Sequence, residues 1–178
     1  MPLARRAVYP GTFDPVHYGH LDLMSRGTAL FDELVVAVYD HVRPTKSVLF
    51  TVDERIQMIE DALGPHEGIT VQPFSGLLVR FMREIDAQVI IRGLRVFSDF
   101  EFEFRNALAN KRLASEIETV SLMAREEHTF LSGTTVREIA ALRGDVSSMV
   151  PGNVAKALYA RLIGEENLDY DPPAPLRD

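Results

Sequence analysis

The sequence contains no cysteine in 178 residues, which excludes disulfides, thiolate metal centres and a cysteine nucleophile and leaves nothing that calls for an oxidising compartment. Cytoplasmic residence is the expectation. A long apolar run is missing too. The opening Met-Pro-Leu-Ala-Arg-Arg leads into only a short apolar stretch before Pro10 and Asp14, which fits neither a signal peptide nor a spanning helix, so a soluble chain without a membrane partner is expected. Cations are in deficit: 19 Lys and Arg face 26 Asp and Glu, a formal net charge of −7. That balance opposes non-specific attraction to nucleic acid or anionic membrane, so no nucleic-acid partner is expected and any phosphate must be held by locally placed cations. No internal repeat is visible.

What is present is a chain 46% hydrophobic, long enough for one substantial core. Short, β-branched apolar runs at 7–9, 34–39, 69–71, 89–91 and 118–122 read as strands. Between them, 22–31, 52–63, 77–85 and 99–114 carry the three-to-four-residue apolar spacing of helices. Thr51-x-x-Glu54 and Ser98-x-x-Glu101 read as capping boxes, and two short helices follow at 135–142 and 153–163. This alternation predicts an α/β fold with a doubly wound five-stranded parallel sheet, its ligand crevice at the carboxyl ends of the strands. Residues 1–163 read as a single domain. Residues 164–178, with Glu165-Glu166 and Pro172-Pro173 and no apolar period, read as an extended tail.

The densest chemistry lies between the first strand and the first helix, in Gly11-Thr12-Phe13-Asp14-Pro15-Val16-His17-Tyr18-Gly19-His20. Gly-Thr-Phe-Asp-Pro alone reads equally as an ordinary strand-to-helix turn, with Asp14-Pro15 starting it. His17-x-Gly-His20 shifts the balance: two imidazoles beside a helix start near Tyr18 have no evident packing purpose, and Gly19 permits close backbone approach to a ligand. Unpaired N–H groups and the positive dipole end of that helix favour phosphate. A second cluster, Ile91-Arg92-Gly93-Leu94-Arg95, ends an apolar strand. It is either a solvated loop or a bidentate phosphate grip. A third, His128-Thr129-Phe130-Leu131-Ser132-Gly133-Thr134-Thr135, puts hydroxyls and a glycine before a helix, where an N-cap accounts for one hydroxyl and an anion nest for more.

Thr12 to His20 is similar to the (T/H)xGH signature of the nucleotidyltransferase superfamily. From about Arg6 to Leu162 the chain resembles the bacterial phosphopantetheine adenylyltransferase family. The resemblance implies a Rossmann-like nucleotidyltransferase fold and an enzyme that moves the adenylyl group of ATP onto 4′-phosphopantetheine, giving dephospho-coenzyme A and pyrophosphate in the penultimate step of coenzyme A synthesis. It implies His20 as transition-state stabiliser, with Lys46 and Arg92 on the acceptor phosphate. ATP would lie against Thr12, Phe13, His17, His20, Gly93, Leu94, Arg95, Glu103, and the run His128, Thr129, Phe130, Leu131, Ser132, Gly133 and Thr134. The acceptor would meet Thr12, Lys46, Leu78, Arg92 and Asn110. Read without the resemblance, Lys46 and Asn110 are ordinary solvated residues and Leu78 a core leucine. Two departures stand out: Phe102 where many relatives have tyrosine, and Gly133 inside a run that is usually Ser-Ser-Ser.

A phosphomonoester acceptor is already a nucleophile at neutral pH, its second pKa being about 6. The expected catalysis is therefore positioning and charge stabilisation without a general base. Mg²⁺ is expected as a cofactor carried by the phosphates, since no carboxylate cluster marks a protein-held site. The family implies a homohexamer, and coenzyme A is a plausible feedback ligand for the same pocket. The alternatives are another nucleotidyltransferase, either a cytidylyltransferase or a nicotinamide mononucleotide adenylyltransferase, and a non-catalytic ATP sensor. Arg92, Arg95, Lys46 and Asn110 together favour phosphopantetheine over the other acceptors.

Overall fold

The computed structural model describes residues 5–40 and 48–164. Strands β1 (Arg6–Gly11), β2 (Glu33–Tyr39), β3 (Ile69–Phe74), β4 (Val89–Leu94) and β5 (Glu118–Met123) alternate with helices α1 (Tyr18–Thr28), α2 (Val52–Leu63), α3 (Leu78–Glu84) and α4 (Phe97–Leu113). Helices α5 (Gly133–Ala141) and α6 (Gly152–Ile163) follow. The strands form one sheet in the order β3-β2-β1-β4-β5, every neighbouring pair parallel. This is the doubly wound sheet that the sequence predicts.

Adjacent side chains of each central strand enter opposite cores. Ala7 and Tyr9 of β1 pack with Leu34, Val36 and Val38 of β2 under α1, α2, α5 and α6. Val8, Val35, Ala37 and Ile90 pack on the other face with Phe81 and Met82 of α3. Burial on both faces explains why these strands read as continuous apolar runs. β1 pairs with β4 only at Ala7–Val89 and Val8–Ile90, so the two strands part toward their carboxyl ends. A crevice opens there, where the strand order reverses.

The helix boundaries depart from expectation in instructive ways. Thr51 forms its capping box with Glu54, but Ser98-x-x-Glu101 does not cap. α4 starts at Phe97 with Val96 as its uncapped N-cap, so Ser98 is already inside the helix. Asp99 turns back instead and accepts both the main-chain N–H and the guanidinium of Arg95. α1 stops at Thr28, short of residue 31, and α5 begins two residues early, at Gly133. A 3-10 turn over Glu126–His128 has no sequence counterpart. α4 buries none of its residues; Phe97, Phe100 and Phe104 stack along an exposed face beside Leu108. Lys46 and the tail beyond residue 164 lie outside the described residues.

Candidate active site

The crevice between β1 and β4 is a cleft of about 370 Å³. It is lined by the turn after β1, the end of β4, the first half of α4 and the starts of α1 and α5. Thr12, Phe13, His17, His20, Arg92, Gly93, Arg95, Glu103, His128, Ser132, Gly133 and Thr134 all line it. The remaining candidates among the described residues fall outside that lining. Leu94 and Leu131 are buried, Leu131 offering its carbonyl to the Arg95 guanidinium. Thr129 and the exposed Phe130 follow the 3-10 turn. Leu78 packs at the margin of the α3 core, and Asn110 is half-buried on α4.

The two histidines do have a packing role. His17 is the N-cap of α1 and His20 its third residue, and they make a reciprocal cap. The His17 main-chain N–H donates to Nδ1 of His20 at 3.2 Å and that of His20 to Nδ1 of His17 at 3.3 Å. The rings stack with centroids 3.6 Å apart. A Cβ on residue 19 would lie 3.2 Å from the His17 ring, so Gly19 makes room for the stack. Because both Nδ1 atoms accept, each neutral ring carries its proton on Nε2. Burial, reinforced by the neighbouring charges of Arg95 and His128, lowers the His17 pKa to about 3. Burial, His17, Arg95 and Arg92 hold His20 well below the ordinary histidine range. His20 therefore stands in the cleft as a neutral donor.

This pair couples stability to pH. Between about pH 3 and 6.5 the unfolded chain binds a proton at His17 that the folded chain refuses, so stability is full above 6.5 and falls as pH drops below it. The loss from His17 alone should approach about 2 kcal/mol by pH 5. His17→Asn keeps a capping acceptor without the titration. Urea unfolding at pH 7 and pH 5 should show a visibly smaller acid loss in that variant, and an unchanged loss would remove His17 from the effect.

Arg92 reaches from β4 across the cleft. Its Nε and Nη2 donate to Glu103 of α4 at 2.7 and 2.6 Å, and Nη1 donates to the Pro10 carbonyl at 2.8 Å. Burial works against its charge, but the hydrogen bonds and charge of Glu103 outweigh that and raise the pKa. Arg95 is held by Asp99 and the Leu131 carbonyl. Both guanidiniums are thus fixed, and both line the cleft.

Sequence reasoning missed the residues that hold the turn itself. Asp14, 6% exposed, accepts the main-chain N–H groups of Leu49 and Phe50 at 2.8 and 3.0 Å. Arg137 of α5 donates to its carbonyl and, at 3.2 Å, to its carboxylate. Phe13 has φ of 49°, a conformation a bulky residue holds only under constraint. Its ring meets Tyr9 and His20 edge-on at 5.4 and 4.9 Å. The Asp-Pro pair is a readable turn signal, but Arg137 is 123 residues away and nothing local marks it.

Gly133 belongs to the same arrangement. Ser132 caps α5 through the Thr135 N–H, and a Cβ on Gly133 would lie 3.0 Å from the Asp14 carbonyl oxygen. Glycine lets the start of α5 press onto the turn. Gly133→Ser should therefore cost about 1–3 kcal/mol of stability by overpacking, read as a lower urea midpoint. An unchanged midpoint would mean that the turn yields freely.

A family model described as cytidylyltransferase-like matches residues 8–139. A phosphopantetheine adenylyltransferase from Thioalkalivibrio sulfidiphilus is 53% identical over 156 residues, covering 88% of this chain and 97% of that protein. One from Alkalilimnicola ehrlichii is 49% identical, covering 93% and 94%, and one from Desulfitobacterium hafniense is 46% identical, covering 88% and 95%. Among solved structures, a protein from Vibrio parahaemolyticus assigned as a nicotinate-nucleotide adenylyltransferase superposes with a TM-score of 0.64 at 14% identity, covering 88% of this chain and 99% of that one. A lipopolysaccharide core biosynthesis protein from Thermoplasma volcanium gives 0.52 at 21% identity, covering 68% and 98%. These last two likenesses concern the fold.

Proposed function

Since this chain belongs to the phosphopantetheine adenylyltransferase family within the cytidylyltransferase-like proteins, we propose that it transfers the adenylyl group of ATP to the phosphate of 4′-phosphopantetheine. Dephospho-coenzyme A and pyrophosphate are the products. The observation that carries this reading is the cleft itself: two helix N-termini, two fixed guanidiniums and a neutral imidazole donor converge on one crevice. Among the described residues, the cleft's carboxylates are committed to arginines and Asp14 to the turn. That arrangement suits a reaction whose nucleophile arrives already ionised.

In the proposed step, an acceptor phosphate oxygen attacks the α-phosphorus of ATP, one P–O bond forms, and the bond to the bridging oxygen of the β-phosphate breaks with its electron pair leaving on pyrophosphate. Arg92 and Thr12 hold the acceptor phosphate, together with Lys46 as the family resemblance implies. His20 donates its Nε2–H to the α-phosphoryl oxygens, where charge builds up in the transition state. The N-termini of α1 and α5 add their positive ends, Ser132 and Thr134 lying beside the second. Mg²⁺ would accompany the triphosphate in this reading; among the described residues no group of three His, Asp or Glu could hold a metal ion, and no step is assigned to a protein-held ion.

Three further features belong to this reading. Stacked Phe97, Phe100 and Phe104 on α4 favour burial against other copies of the chain, in the hexamer the family resemblance implies. A sedimentation mass of six chains is expected, and a mass of one overturns it. Coenzyme A, sharing the product's pantetheine arm, would compete for the cleft. Residence in the cytoplasm is part of the same reading. No described helix is long and apolar enough to cross a membrane.

The test is acceptor choice. Pyrophosphate release from ATP is measured with 4′-phosphopantetheine, nicotinamide mononucleotide or glycerol phosphate as acceptor. Rapid release with the first alone is expected; preference for another acceptor assigns a different transferase, and ATP binding without release under any acceptor assigns a sensor.

A further inference from the structure

Arg55 lies outside the cleft lining, yet it is the most deeply buried cation of the described residues, 2% exposed on the apolar face of α2 beside Met58 and Ile59. Its place is unfavourable on two counts. It is buried, and it sits in the first turns of a helix, whose positive end repels cations while Asp53 and Glu54 complement it. A hydrocarbon of similar size would serve packing better. Such a residue persists when its specific contacts matter.

Those contacts are four main-chain carbonyls. Nε donates to Phe50 at 3.1 Å and Thr51 at 3.2 Å, and Nη1 to Thr12 at 2.6 Å and Tyr39 at 3.0 Å. One planar fork thus ties together the turn after β1, the carboxyl end of β2 and the start of α2. The Thr12 carbonyl is the rear of the residue whose front opens into the cleft, and the next residue, Phe13, has the strained φ of 49°. Asp14 and Asp40 supply the negative field that offsets part of the burial.

We infer that Arg55 is a positioning residue for the transfer reaction: by gripping the Thr12 and Tyr39 carbonyls from beneath, it fixes where Thr12 presents its amide and hydroxyl to the reacting phosphates. This rests on the adenylyl-transfer reading given above. In-line displacement tolerates sub-ångström errors poorly, so a loosened Thr12 lowers turnover more than binding.

Arg55→Lys keeps the charge and the aliphatic stem but replaces the fork with a single flexible ammonium. In folded Arg55→Lys, kcat with ATP and 4′-phosphopantetheine should fall about ten- to a hundredfold, with the KM for ATP changed less than about threefold. Thr12→Ala should then cost much less in the Arg55→Lys background than in the wild type, because both act through one residue. Arg55→Ala should regain part of its kcat when guanidinium ion is added at tens of millimolar. Wild-type turnover, measured alongside, tests the reaction itself; the variant-to-wild-type ratio tests Arg55. Unchanged kcat in Arg55→Lys, multiplicative losses with Thr12→Ala, or failure of both Arg55 variants to fold would each overturn the assignment, the last by making Arg55 a folding residue only.

Discussion

Replacing His20 with alanine is expected to lower kcat about a thousandfold while changing the KM for ATP less than about threefold. The asymmetry follows from what the ring does. Its Nδ1 is occupied by the His17 main-chain N–H, so Nε2 is the proton-bearing atom. A neutral imidazole gains little from a ground-state phosphate diester. It gains more when negative charge accumulates on the α-phosphoryl oxygens, in a site where the donor needs no reorientation. Alanine also removes half of the reciprocal cap, which costs about 1 kcal/mol of stability but leaves the His17 half in place. His20→Asn separates these effects, since a carboxamide can still accept from the His17 N–H while its donor is misplaced for the α-phosphate. It should be as inactive as the alanine variant and more stable. The pH dependence of kcat/KM adds a second check: because the His20 pKa is depressed, the acid limb should reflect the acceptor phosphate, near pH 6. A limb that disappears with His20 would assign the titration to the ring.

Arg92→Ala should damage two properties at once. The acceptor loses a bidentate cation, and KM for 4′-phosphopantetheine should rise about a hundredfold, the equivalent of roughly 3 kcal/mol for two charge-assisted bonds. The protein loses the partner of Glu103, whose side chain is only 12% exposed, and an unpaired carboxylate left there costs about 3–5 kcal/mol. Adding Glu103→Gln should recover much of that stability and none of the acceptor binding. This double variant separates the structural from the binding role. If it restored acceptor binding as well, Arg92 would be a scaffold residue. Calorimetric unfolding and acceptor saturation curves, taken on the same preparations, read both quantities.

The sheet was legible because buried parallel strands leave apolar runs, and Leu34–Val38 and Val89–Ile91 are such runs. The cleft's contents were legible where several chemical groups cluster in few residues, as in Thr12 to His20 and Arg92 to Arg95. Illegible were relations that depend on three-dimensional closure. The reciprocal imidazole cap requires a helix start known to the residue, which the sequence placed correctly near Tyr18 without revealing that the rings themselves cap it. The Ser98 box failed because α4 extends two residues beyond the expected start, a boundary that Asp99 and Arg95 set through their own ion pair. Asp14–Arg137 joins residues 123 apart in the chain. Arg55 did leave a trace: a cation in the apolar stripe of α2 is anomalous by itself. Phe102, the other departure from the usual pattern, is exposed on α4, and the described structure gives its missing hydroxyl no role.

The most direct measurement is phosphorus NMR of the chain mixed with ATP, Mg²⁺ and 4′-phosphopantetheine in equal amounts. Adenylyl transfer to the acceptor phosphate requires that a phosphodiester anhydride and pyrophosphate appear together, in equimolar amounts, as the monoester and triphosphate signals decline. Formation of ADP or free AMP, or unchanged spectra from a chain that binds ATP, would contradict it.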